Sequence, residues 1–152
     1  MTTNSLDALN FDISELADTP EFRLFPDGTH IVNLTLEVKN SKAGQPMVVW
    51  KMSAVNTEEL GNESDTPLKP GESNTIYFSL ANEYGMGALK KAIAPISQAL
   101  QLSNLKDVVE AIQTVETDGD TFPIVVVTKI KPPRKSKPDE QPSLQLLSVA
   151  VA

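Results

Sequence analysis

Thr121-Phe-Pro-Ile-Val-Val-Val-Thr-Lys-Ile130, Lys131-Pro-Pro-Arg-Lys-Ser-Lys-Pro138 and Leu144-Gln-Leu-Leu-Ser-Val-Ala-Val151 are the three consecutive runs whose reading decides the fold. The first and last are short, apolar and rich in β-branched residues, the pattern of buried strands. Between them, Pro132, Pro133 and Pro138 lack a backbone donor and fix φ, which keeps the connection out of a sheet ladder and holds it extended. The three runs together predict a hairpin with a solvated tip. Five of the thirteen basic residues (Lys129, Lys131, Arg134, Lys135 and Lys137) fall within nine consecutive positions at this tip.

Working outward, the totals describe one domain. A chain of 152 residues is long enough to bury roughly 70% of its unfolded surface in a single core. We expect residues 22–152 to form that domain and residues 1–21 an N-terminal arm. No apolar run approaches the roughly 20 residues of a membrane helix, and the first residues show neither the basic start nor the apolar centre of a secretory signal. The chain has no cysteine, which removes disulfides and thiolate chemistry together and suits a cytoplasmic setting. Its net charge is −7, unevenly spread: residues 1–72 carry 5 basic and 12 acidic side chains, residues 129–152 carry 5 and 2. The body is acidic and the last hairpin is not.

Upstream of the hairpin, residues 30–39 alternate: His30, Val32, Leu34, Leu36 and Val38 share one face, and only Ile31 interrupts the polar one. This is a half-buried strand. Residues 47–55 read as a second strand, with Val48, Trp50, Met52 and Ala54 inward, after a short loop carrying Lys42. Residues 56–73 are rich in acids and loop formers and read as a connection. Residues 75–80 form a third strand, with Ile76 and Phe78 inward and Tyr77 outward. Met86, Leu89, Ala92, Ile93, Ile96 and Leu100 then recur at helical spacing, and Pro95 inside this stripe predicts a kinked or divided helix. A shorter helix is expected over residues 104–112. In the arm, Leu6, Leu9, Ile13 and Leu16 fit a short helical face that Pro20 would stop.

Three strands, a helical insertion and two more strands predict a mainly β fold: a five-stranded Greek-key barrel of the oligonucleotide/oligosaccharide-binding (OB) type, with the helix between strands 3 and 4. A parallel α/β sheet would need helices between successive strands throughout. Ligands of OB barrels are gripped by the loops after strands 1 and 4, here the Lys42 loop and the basic tip. Tyr77-Phe-Ser-Leu-Ala-Asn-Glu-Tyr-Gly-Met-Gly-Ala-Leu-Lys-Lys-Ala-Ile-Ala-Pro95, followed by a valine-rich strand, a Lys/Pro loop and a terminal strand, resembles the single-stranded DNA-binding proteins of tailed bacteriophages. That resemblance spans about residues 27–152. It implies an OB barrel that coats exposed strands during phage replication and recombination in the host cytoplasm, in company with other phage proteins.

Coating a strand without reading its sequence calls for cations on the phosphates and aromatic faces for the bases. The candidate cations are Lys42, Lys51, Lys129, Lys131, Arg134, Lys135 and Lys137; seven phosphate contacts would give a log–log salt slope of about −5. Trp50 and Tyr77 are the candidate platforms, followed by Tyr84, with core packing the competing role for Trp50. Lys90 and Lys91 near the helix start oppose its dipole and read first as surface lysines, second as phosphate contacts. RNA in place of DNA and homo-oligomerisation are both left open. No cofactor, metal or membrane is expected. One histidine and no cysteine cannot furnish a zinc site, and no acid/base pair stands out, so the chain reads as a non-enzyme. The alternative is a structural virion protein, a capsid decoration or cement subunit, favoured by the acidic body and an aromatic content of 5%.

Overall fold

The alternation of the first strand is realised side chain by side chain. The computed structural model describes residues 9–10, 12–15, 23–133, 135–136, 139 and 141–152. In β1 (Gly28–Asn40), His30, Val32, Leu34 and Leu36 are all buried and the residues between them are not. β2 (Pro46–Leu60) buries Val48, Trp50, Met52 and Ala54, and β3 (Ser73–Ser79) buries Asn74 and Phe78 on the same side. β4 (Pro123–Lys131) contributes Ile124, Val126 and Thr128. β5 (Ser143–Val151) contributes Val149, with Leu144 and Leu146 packed at the core's margin. A bulge at Val127/Thr128 leaves Leu147 without a partner on β4, so the inward set passes from Leu146 to Val149.

These five strands make one antiparallel sheet in the order β3-β2-β1-β4-β5. No ladder joins β3 to β5, so the sheet is not closed. A closed barrel was the sequence expectation; instead a helix lies where the two edges would meet. α1 (Glu83–Leu100) packs against both β3 and β5, and α2 (Leu105–Thr117) packs on β1. The helical stripe is as expected: Leu89, Ala92, Ile93 and Ile96 are buried, joined by Val108, Val109 and Ile112 of α2. Each helix begins on an asparagine that satisfies an orphan amide. Asn82 Oδ1 accepts from Gly85 N at 2.7 Å and Asn104 Oδ1 from Lys106 N at 2.9 Å.

Four expectations are corrected. Pro95 does not divide α1, one of the two outcomes expected of it: the helix runs from Glu83 to Leu100, and buried residues on both sides of the proline anchor the same stripe to the sheet. β2 runs five residues beyond the expected end at Val55. Its extension pairs Thr57 with His30, Glu59 with Thr29 and Leu60 with Gly28, taking up register shifts on the way. Val38 is 56% exposed, because β1 outruns the core at that end. In the arm, Leu6 and Leu16 lie outside the described residues, and Ile13–Glu15 is a single 3-10 turn with Ile13 exposed rather than part of an apolar face.

Residues 23–27 strap three strands together at one end of the sheet. Asn74 Oδ1 accepts from Phe25 N at 2.8 Å while its Nδ2 donates to the Arg23 carbonyl at 3.0 Å. The Pro26 carbonyl accepts twice, from His30 Nε2 at 2.7 Å and from Thr128 Oγ1 at 2.8 Å. Asp27 Oδ1 accepts from Ile130 N. His30, Asn74 and Thr128 are the buried polar residues among those described, and all three serve this strap.

Candidate nucleic-acid interface

Strand parity that sends Trp50 inward puts Val49 and Lys51 on the opposite face, where Val49 is covered and Lys51 is exposed. The solvent face of β2 and β3 therefore carries Lys51, which lies across from Thr75 and from Thr35 of β1, and Tyr77, which lies across from Val49. Lys51 and Tyr77 are thus diagonal neighbours on one face. Tyr77 is 61% exposed. Its ring is available.

Trp50 is not, and its candidacy as a base platform is corrected here. It is 0% exposed, wedged between Leu36 of β1 and Ile76 of β3, with its ring edge-on to Phe78 at 5.8 Å and 80°. Its indole Nε1 is buried without a hydrogen-bond partner, a cost that a well-filled core outweighs.

A groove of about 450 Å³ runs along the unclosed edge between β3 and β5. Ile76, Tyr77 and Phe78 form one wall and the whole run from Ser143 to Val149 the other. Tyr84, Ala88 and Lys91 of α1 close one side. Their spacing of four and three places them on one helix face, beside the buried stripe. Lys131, where the basic tip leaves β4, also lines the groove. Two predicted features 54 positions apart, the outward tyrosine and the root of the basic tip, thereby share one concavity. Among the described residues lining it there is no aspartate or glutamate, in a chain with 20 of them.

The other predicted cations are placed differently. Lys129 is exposed on the outer face of β4, across from Gln145, and Lys135 is exposed at the tip. Lys42 is exposed in a tight turn closed by Ser41 N to the Gln45 carbonyl at 2.7 Å and does not line the groove. Arg134 and Lys137 lie outside the described residues. Among the described residues the ion pairs are Arg23–Glu72, Lys39–Glu37 and Lys106–Glu110, and Lys51, Lys91, Lys129 and Lys131 belong to none of them. Residues 58–72, the acidic stretch, stay out of the groove, and Glu72 is held by Arg23 (Nε–Oε1 2.8 Å). The hydrogen bond from Arg23 is the main reason the Glu72 carboxyl sits below its ordinary range.

Reading the sequence missed Tyr84 as a full partner of Tyr77 and set Lys91 aside as surface. The signal was present: Tyr84, Ala88 and Lys91 form a second stripe on the helix, offset from the apolar one. Gly85 was also under-read. A Cβ there would stand 2.0 Å from the Ser79 carbonyl oxygen, so glycine is what lets α1 start hard against the end of β3 and brings Tyr84 to the groove.

Among the described residues no three metal-ligating side chains cluster, and no helix is long and apolar enough to cross a membrane. Comparison with protein-family models and with curated proteins found no match to this chain.

Proposed function

We propose that this chain binds single-stranded DNA without sequence readout, as an OB-like barrel left open along one seam, and that its work is binding rather than catalysis. One observation carries the reading: Tyr77 and Lys131 line a common groove with no carboxylate among its described lining residues, in a chain of net charge −7. A polyanion with flat bases needs cations and aromatic faces side by side, and an acidic protein would meet such a ligand only where its own acids are kept away. Lys51 and Lys129 extend the positive surface onto the outer sheet face. The strand order supports the OB reading, since joining β3 to β5 would close the sheet into a five-stranded barrel with helical cover between the third and fourth strands. The resemblance of residues 77–95 and of the last hairpin to phage single-strand-binding proteins supports a role in phage replication and recombination.

The test is fluorescence anisotropy of end-labelled oligonucleotides at low salt. Single-stranded dT and mixed-sequence oligomers should bind alike, with duplex DNA weaker. Tyr77→Ala should weaken binding by about 1–3 kcal/mol, the value of one stacked base. Lys51→Ser and Lys129→Ser should weaken it equally for every base composition. Absence of binding to any single strand at high micromolar protein would sink the proposal.

A further inference from the structure

The seam between β3 and β5 has more structure than a charged surface requires. Its lining joins apolar side chains such as Ile76, Phe78 and Leu146 to Lys91 and Lys131, and includes the exposed rings of Tyr77 and Tyr84, the latter 91% exposed. Among the described residues both flanking strands are sheet edges, β3 paired with β2 alone and β5 with β4 alone. Each therefore turns unpaired backbone N–H and C=O groups toward the gap. The Gln145 and Ser148 side chains line it as well. Exposed aromatic rings, hydrogen-bonding groups that are main-chain or neutral, and two lysines make a complementary set for one chemical class, an anion carrying a flat heteroaromatic ring. The volume falls in the range of roughly 300–1,000 Å³ typical of small-ligand sites.

We infer that the seam is a nucleotide subsite: one nucleotide of the bound strand enters between β3 and β5, its base against the tyrosine rings and the edge-strand backbone, its phosphate between Lys91 and Lys131. The inference rests on the single-strand-binding reading and deepens it, assigning α1 a direct part through Tyr84 and Lys91. A base held largely by backbone groups and ring faces is accepted whatever its identity, which suits binding without sequence readout. An incoming peptide strand would use the same edges but has no need of the two lysines or the exposed rings, so a nucleotide is the better match.

The test uses the full chain with Tyr84→Ala/Lys91→Ser, two exposed positions outside the core. Amide chemical shifts are followed by NMR during titration with dTMP, and oligo-dT affinity is measured by anisotropy. For the wild type, dTMP should shift the amides of Gly85, Ala88 and Ser148. The double variant should lose those shifts and bind oligo-dT about tenfold or more weakly, the loss of one stack and one phosphate contact. Wild-type oligo-dT affinity in the double variant, with Lys51→Ser and Lys129→Ser still weakened, overturns the subsite and leaves the strand-binding reading intact. A wild type that ignores oligo-dT removes that reading and the strand subsite with it, whether or not dTMP shifts the seam amides. A change in oligomeric state of the double variant, without change in nucleotide binding, would make the seam a contact between copies and overturn the proposal.

Discussion

Acidification should loosen this fold in a window that belongs to one residue. His30 is the chain's single histidine; its side chain is fully buried and lies against Phe25 with ring centroids 6.1 Å apart. A carbonyl can only accept, so Nε2 carries the proton it donates to Pro26 O. Nδ1 is then the acceptor for Thr57 Oγ1 at 2.9 Å. Thr57 Oγ1 in turn accepts from Leu68 N at 2.8 Å. This chain is complete only for the neutral ring. A second proton on Nδ1 would face a hydroxyl already oriented to donate and would place a charge in the core. Burial accordingly pushes the His30 pKa below its ordinary value near 6.5, against a smaller upward pull from the Pro26 hydrogen bond. The sign follows: with the folded pKa depressed, the stabilisation is fully present above about pH 6.5 and is lost as pH falls toward the folded pKa, because the unfolded chain takes up the proton first. One proton's difference allows a slope of at most about 1.4 kcal/mol per pH unit. The stabilisation from Glu72, held low by Arg23, is present above the ordinary carboxylate value near 4.5 and is lost only as pH falls below it toward the depressed folded value, so the two windows separate. Urea denaturation at half-unit steps from pH 7.5 to 5 measures the slope. His30→Gln should be less stable at pH 7.5 by about 1–3 kcal/mol, through the hydrogen bonds lost at buried partners, and its stability should be level across the same range. A level wild type, or a variant that keeps the slope, would refute the assignment.

Three further outcomes are expected. Asn74→Ala leaves the Phe25 amide without its acceptor and frees the Arg23 carbonyl, and chemical denaturation should show a loss of about 1–3 kcal/mol. Gly85→Ala forces the start of α1 away from Ser79; we expect a cost of about 1–3 kcal/mol from overpacking, with weakened oligonucleotide binding as Tyr84 moves. A stability unchanged by melting analysis would show that the junction yields freely. Salt should weaken single-strand binding with a log–log slope of about −3 if Lys51, Lys91, Lys129 and Lys131 are the phosphate contacts, at about −0.7 each. A slope of about −5 would instead bring in the tip and the Lys42 turn.

Much of the sheet could be read in advance because alternation is a local property. His30 to Leu36, Val48 to Ala54 and the Ile76/Tyr77/Phe78 triplet needed only a period of two to declare their faces, and burial follows that period except at Val38, which is exposed, and Val49, which is buried on the outer face. The ends of strands obey partners instead. β2 continues through Thr57 and Glu59 because β1 begins at Gly28 and offers a ladder, and nothing in that acidic stretch announces it. Buried polar residues were opaque for the same reason. His30, Asn74 and Thr128 sit on three strands, and what unites them is the strap of residues 23–27 that crosses all three. A lone inward histidine reads as structural, which it is, but its partners Pro26 and Thr57 are a turn and a supposed loop.

The site was legible in kind and not in place. Local charge density located a cationic hairpin, and outward parity located Tyr77, but parity cannot say which outward residues become neighbours across a gap. That depends on whether β3 and β5 zip together. Had they paired, the groove would not exist, and Tyr84 and Lys91 would have been ordinary surface. The seam stays open because α1 starts only four residues after β3 and Gly85 seats it against Ser79, with Leu89, Ala92, Ile93 and Ile96 then committing the helix to the core. A single missing Cβ thus bears on both the architecture and the candidate interface. Replacing it tests whether helix placement and strand binding are the same property, since a folded Gly85→Ala protein with full oligonucleotide affinity would separate them.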